Sequence, residues 1–226
     1  MKRIFNSSQL KIIALISMLI DHCAICLADI LPSVEYIIMR SIGRLAFPIF
    51  VFLLVQGLKN TGSVGKYMAR VGIFAVLSEI PYDILKHKSL WYPTDNNIMF
   101  TLLLALLALW ITKCLKDKGP YGIMTALLSA VLLGAAAYYL ELDYAWKCVA
   151  LAMLFYIAEN ETIVFCVGTV CIFAIEGETI AFAAILALPL LCSYNGEKGR
   201  MPKNILYFFY PVHLLLLGLV RCYFIG

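Results

Sequence analysis

The sequence predicts an all-α fold, a polytopic transmembrane bundle of roughly nine spans that occupies residues 1–226 as one integral membrane domain. Three observations carry this. Hydrophobic residues make up 63% of the chain and charged ones 14%, against about 45–50% and about 25% in a soluble domain. The apolar residues gather into runs long enough, or nearly so, for a helix to cross about 30 Å of hydrocarbon. No polar stretch between the runs is long enough to fold separately.

The first run, 10–31, follows a basic start, and Asp21 and His22 interrupt its apolar core. No small-x-small cleavage site follows, so a retained span is expected rather than a signal peptide. The second run, 37–58, holds Arg40, Arg44 and Pro48, and the third, 64–85, holds Glu79, Pro81 and Asp83. Asn96, Asn97 and Thr101 open the fourth, 97–115. Runs at 121–140, 144–158, 162–175 and 179–192 follow, and the ninth, 204–223, contains Tyr210, Pro211 and His213. The sixth to eighth are short, a shortfall that bilayer thinning or neighbouring helices can cover.

Basic residues set the orientation. With nine spans, Lys2, Arg3, Lys11, Lys59, Lys66, Lys113, Lys116, Lys118, Lys198, Arg200 and Lys203 all fall on one side. Lys86, Lys88 and Arg221 fall on the other, with the acidic Glu35, Glu141 and Asp143. This bias predicts a cytoplasmic N-terminus and an outer C-terminus. The net charge of +4 lies in short loops, so nucleic acid is not an expected partner; the lipid bilayer is. Most of the eight cysteines fall inside apolar runs, where they read as small buried hydrophobes rather than a disulfide framework.

At about 1.5 Å per residue, position in a span converts to depth. Asp21 and His22 lie just past the middle of the first span. Arg40 and Arg44, then Glu79 and Asp83, lie one turn apart in the outer halves of the second and third, level with Asn96, Asn97 and Thr101. His213 lies near the middle of the ninth. Charges in a span cost about 2.5–3.5 kcal/mol each on insertion scales, so groups meeting at one depth point to a shared polar cavity. The same residues also fit a structural ladder, with Arg40 level with Asp83 and Arg44 with Glu79 on antiparallel spans. His22 and His213 equally fit simple interhelical hydrogen bonding. Prolines at 48, 81 and 211 free backbone carbonyls beside these groups. "HCAIC" invites a metal reading, but a site needs three or four convergent ligands, and two of these side chains point to different sides of the helix; no metal is expected.

Five stretches, "LKIIALISMLIDH", "IIMRSIGRLAFPIFVFLLVQG", "SEIPYDIL", "NNIMFTLLL" and "FFYPVHLLLLGL", occur in an order that resembles the TraX family. That family's founding member acetylates the N-terminus of a pilin subunit in conjugative bacteria. A more distant similarity is to the membrane-embedded acyltransferases that acetylate bacterial surface sugars. Those carry an arginine, ten residues and a histidine in their first span; here Lys11 and His22 have that spacing, with lysine in place of arginine. Eleven residues of helix put both side chains on one face, roughly 16 Å apart. "GRLAFPIFVFLLVQG" similarly looks like the arginine motif of the next span and favours a functional Arg44.

The resemblance implies a bacterial cytoplasmic-membrane enzyme moving an acetyl group from acetyl-CoA to an amine or hydroxyl of a peptide or glycan. His22 is then the expected general base, with His213 its rival. Arg44 would stabilise the developing oxyanion. Asp21 points about 100° away from His22, so it is expected to orient His213 or to hold Arg44. Lys11, Lys59, Lys66 and Arg200 are the expected phosphate ligands, although the loop lysines and arginine also fit the topology rule alone. Glu79, Asp83, Asn97 and Tyr210 are expected on the acceptor side. An ion- or proton-coupled transporter and a peptide-binding chaperone are the competing classes, because intramembrane acids, histidines and arginines also build transport paths. The loops name neither the acceptor nor an oligomeric state.

Overall fold

The computed structural model describes residues 3–159, 161–175 and 179–225; Lys2, counted in the charge bias, lies outside them. The regular structure among them is helical: α1 (Ser7–Cys26), α2 (Ser33–Gly43), α3 (Ala46–Asn60), α4 (Val64–His87), α5 (Ile98–Leu115), α6 (Gly119–Tyr139), α7 (Ala145–Ile157), α8 (Thr162–Ala174), α9 (Thr179–Phe182), α10 (Leu188–Cys192) and α11 (Lys203–Val220). A 3₁₀ turn, Ala183–Ala187, joins α9 to α10, and a π-helical turn, Arg221–Ile225, extends α11. All nine expected runs are thus helical. Among the described residues, five segments are long and apolar enough to cross a membrane: Ser7–Cys26, Ser33–Asn60, Ile98–Leu115, Gly119–Tyr139 and Asn204–Ile225. Helix α4 has 24 residues but carries Lys66, Arg70, Glu79, Asp83 and Lys86 along its length. Ala145–Ile157, Thr162–Ala174 and Ile180–Cys192 are apolar but shorter.

Helix α1 starts earlier than hydropathy alone indicates because Asn6 and Gln9 cap it. Gln9 N–H donates to Asn6 Oδ1 at 3.0 Å, and Asn6 N–H donates to Gln9 Oε1 at 2.9 Å. Two otherwise orphan donors are satisfied reciprocally. The helix is then uninterrupted to Cys26.

The second run, expected as one span over 37–58, lies within a single segment long and apolar enough to cross, Ser33–Asn60. A two-residue turn at Arg44 and Leu45 separates α2 from α3 inside it. Pro48 accounts for the place: its ring would collide with the carbonyl four residues back, that of Arg44. Past Leu45, Pro48 falls in the first turn of α3, where a missing N–H costs nothing. The run at 179–192 is broken into α9, the 3₁₀ turn and α10.

The chain forms two compact units. The first comprises Met1–Leu53, Leu77–Tyr92 and Phe173–Gly226. In it α1 packs on α2 and α11, and α2 packs on α9. Leu10, Ala14, Ala24, Phe47, Ile49 and Leu214 are almost wholly buried, and Phe47 meets Phe173 edge to face at 6.1 Å. The second unit, Leu54–Val76 and Pro93–Ile172, is built on mutual packing of α5, α6 and α7. Alanines 105, 108, 137 and 152 are buried there and let the helix axes approach closely. Ile123, Leu127, Leu128, Val131 and Leu132 of α6 stay exposed, as befits a helix whose solvent is lipid.

Where α1 ends, an ionic clasp ties it to α11 and α4. Arg221 Nη1 donates to the carbonyls of Leu85 at 2.7 Å and Lys86 at 3.2 Å, and its Nη2 reaches Asp29 Oδ2 at 3.3 Å. Lys88 Nζ lies 3.2 Å from the same oxygen. Hydrogen bonds from Lys88 and then Arg221 hold the Asp29 carboxyl below its ordinary range. A carboxyl depressed on folding stabilises the fold above its unfolded pKa of about 3.9 and stops doing so as pH falls through the lower folded value. Asp29→Asn is therefore expected to flatten the acid limb of a melting-temperature profile below about pH 4 and to leave the relative pH dependence above it unchanged.

Candidate functional site

The site assembles in the first unit, around the middle of α1. Adjacent residues on a helix point about 100° apart, and Asp21 and His22 use that divergence to meet different helices. Asp21 turns to α2: its Oδ2 accepts from Arg40 Nη1 at 2.5 Å, and Arg44 Nη2 lies 3.0 Å from each carboxylate oxygen. The side chains are only 11% (Asp21), 19% (Arg40) and 16% (Arg44) exposed. Arg40 therefore pairs with Asp21 and not with Asp83, the rung expected from antiparallel depth. Levels along two helices do not encode which face each presents, and α2 packs against α1.

Gly43 makes the approach possible. A Cβ at that position would overlap the Cβ, Cγ and Oδ1 of Asp21. Gly43→Ala is expected to cost about 1–3 kcal/mol as overpacking and to push the carboxylate off the arginines. A fall in melting temperature checks it.

His22 turns to α11. Its Nδ1 lies 2.7 Å from His213 Nε2, and His213 Nδ1 lies 2.6 Å from the carbonyl oxygen of Phe209. The imidazoles are 9% and 6% exposed, with ring centroids 4.9 Å apart. Tyr210, also buried, sets its ring 6.1 Å from His22 and 5.8 Å from His213. Phe209 stacks on His213 at 4.7 Å and 23°. Two buried imidazoles and two half-buried guanidinium groups thus flank one turn of α1.

The other expected residues divide between the two units. Glu79 and Asp83 are buried on α4 within the first unit. Asp83 Oδ2 accepts the Tyr92 N–H at 2.9 Å, which closes the loop after α4. Lys11 lies on α1 one turn beyond Ser8, and Ser8 is clasped by the 193–201 loop. Ser8 Oγ donates to the Lys198 carbonyl at 3.2 Å and accepts the Met201 N–H at 2.8 Å. Arg200 sits between those two contacts and is exposed, so Lys11 and Arg200 occur at the same end of α1. Gly199 has φ +68°, and a side chain there would run into Ser8 and Asn6.

Lys59, Lys66 and Asn97 belong to the second unit. Lys59 forms an ion pair with Glu159, and Lys66 is exposed. Asn97 caps α5, its Oδ1 accepting the Met99 N–H at 2.9 Å and its Nδ2 donating to the Ala75 carbonyl at 2.9 Å. An asparagine directly before an apolar run is an N-cap signal, and that role accounts for these two contacts. Sequence reasoning missed the Gly43 contact and the Ser8 clasp. The first had a signal, a glycine one residue before Arg44 and three after Arg40; the second had none within its own segment.

A curated relative is similar along nearly the whole chain. It is a protein of Dichelobacter nodosus described as "Probable fimbrial assembly protein FimC, serogroup H1", 31% identical over 237 residues that cover 94% of each chain. No solved structure matches. The family described as TraX protein matches residues 6–221, from the Asn6 cap to the Arg221 clasp and across every site residue above, and the chain belongs to that family.

Proposed function

We propose that the protein is a membrane-embedded acyltransferase of the bacterial cytoplasmic membrane, moving an acetyl group from cytoplasmic acetyl-CoA to the amine or hydroxyl of an acceptor. The observation that carries this is the divergence at Asp21 and His22: adjacent positions of one uninterrupted helix hold a buried imidazole pair and a doubly bridged carboxylate. A proton acceptor and a fixed positive charge are the two things acyl transfer asks of a protein.

His22 takes the proton of the attacking acceptor. Arg44, fixed by Asp21, stabilises the oxygen that gains negative charge, while Asp21 works as the holder of Arg40 and Arg44 rather than as an orienter of His213. The acceptor nitrogen or oxygen bonds to the acyl carbon as the carbon–sulfur bond breaks. The proton that leaves the acceptor passes to His22 and from there to the departing thiolate.

Acetyl-CoA supplies the activated acyl group. The residues at the start of α1 suit its phosphates: Lys11 and Arg200 are cationic, at one end of the helix, and the continuity of α1 keeps Lys11 roughly 16 Å from His22 on the same face. The basic bias of the loops supports a cytoplasmic N-terminus and an outer C-terminus. The relative's description as a fimbrial assembly protein favours a fimbrial or pilin subunit as acceptor, which makes transfer to a peptide N-terminus the leading form of the reaction.

Heat stability of the detergent-purified protein with and without acetyl-CoA tests the reading. Wild type and His22→Ala are expected to be stabilised, and Lys11→Ala is expected to lose the effect. No stabilisation of well-folded protein at millimolar donor overturns the proposal and leaves the transporter class standing.

A further inference from the structure

The hydrogen-bond chain through the two imidazoles has a direction. A carbonyl oxygen can only accept, so His213 Nδ1, 2.6 Å from the Phe209 oxygen, carries a proton. In a neutral His213 the other nitrogen, Nε2, is then a bare acceptor. That acceptor faces His22 Nδ1 at 2.7 Å, and the contact is a hydrogen bond when His22 Nδ1 is the donor. His22 Nε2 is left with its lone pair. A His213 protonated at both nitrogens would be a further charge inside a span, at a position only 6% exposed, with its own insertion cost.

We infer that His213 is a positioning residue that fixes His22 in the Nδ1–H tautomer, which makes His22 Nε2 the proton-accepting atom. Both nitrogens of His213 are engaged, one by a carbonyl and one by His22, so His213 is not itself the base. The assignment rests on the acyltransferase reading for its catalytic meaning, but the tautomer is a property of the resting protein.

The arrangement parallels the orienting group of a nucleophile–base–carboxylate constellation, in which the third member holds the imidazole in the working tautomer. Here the third member is neutral. In hydrocarbon that is an advantage, because a second carboxylate would carry its own insertion cost. When His22 Nε2 gains a proton, its Nδ1–H bond to His213 becomes charge-assisted and stronger. The Phe209 ring stacked on His213 and the nearby Tyr210 ring hold both imidazole planes, so the bond is present before the proton arrives.

The chain has three histidines, which makes ¹⁵N-histidine NMR of the full protein in micelles direct. His22 is expected to show a pyrrole-type Nδ1 and a pyridine-type Nε2, assigned by the signals lost in His22→Gln. In His213→Leu that preference is expected to disappear. His213→Gln, whose carbonyl can accept from Nδ1–H, is expected to restore it. With acetyl-CoA and a short free-amine peptide as probes, His213→Leu is expected to lower the rate about 100-fold and His213→Gln to recover about tenfold of that loss. A pyridine-type Nδ1 on His22 in the wild type overturns the assignment, as does equal activity in the leucine and glutamine variants. The expected tautomer in a protein that transfers no acetyl group supports the assignment while overturning the acyltransferase reading.

Discussion

His22→Ala is expected to lower acetyl transfer by about 10²–10⁴-fold, the usual contribution of a general base, while the protein still folds and still gains heat stability from acetyl-CoA. The structural cost is limited to one partner: His213 Nε2, 2.7 Å from His22 in the wild type, loses its donor, a loss of about 1–3 kcal/mol for a buried group. The two effects separate in one preparation, by transfer rate and by detergent melting. A variant that melts normally and keeps a tenth or more of the wild-type rate would remove His22 from the chemistry. An exposed histidine would give no such contrast; the expectation draws on the burial of this pair and on the absolute continuity of α1 between it and Lys11.

Asp21→Ala carries the largest expected effect on stability. Its carboxylate is shared by Arg40 at 2.5 Å and Arg44 at 3.0 Å, with all three side chains mostly shielded. Removing one partner of a buried ion pair costs about 3–5 kcal/mol, because the remaining charge stays where water cannot reach it. Arg40→Ala or Arg44→Ala should cost less, since Asp21 keeps the other guanidinium. Unfolding in mixed micelles of increasing denaturing detergent would rank the three. If Asp21→Ala unfolds no earlier than the arginine variants, the carboxylate is not the hub of the group. Loss of activity is expected in all three, but only Asp21→Ala should lose it together with the fold.

Much of this was legible in the sequence. The apolar runs became helices because hydropathy sums over a segment report burial in lipid or protein directly, and the match of 10–31, 97–115 and 204–223 to α1, α5 and α11 follows. The divergence of Asp21 and His22 was readable from helix geometry alone, and so was the depth shared by His22 and His213. What depth cannot give is rotation about the helix axis. Depth sets Arg40 level with Asp83, yet it faces Asp21, because Gly43 lets α2 lie against α1. The turn before α3 is a second such case: hydropathy carries the run straight through it, and the collision of Pro48 with the carbonyl of Arg44 sets its place. Asn97 shows the reverse, a polar group expected at the same depth whose described bonds go to capping its own helix and to a carbonyl of α4.

The partners His22 and His213 stand 191 residues apart in sequence, and so do Cys26 Sγ and the Leu217 carbonyl it donates to at 3.3 Å. A ribosome therefore delivers the first half of the site long before the second. Until α11 is in place, His22 Nδ1 lacks the His213 nitrogen that faces it at 2.7 Å. The buried imidazole pair is thus a late contact of synthesis, formed between a helix made early and one made 191 residues later.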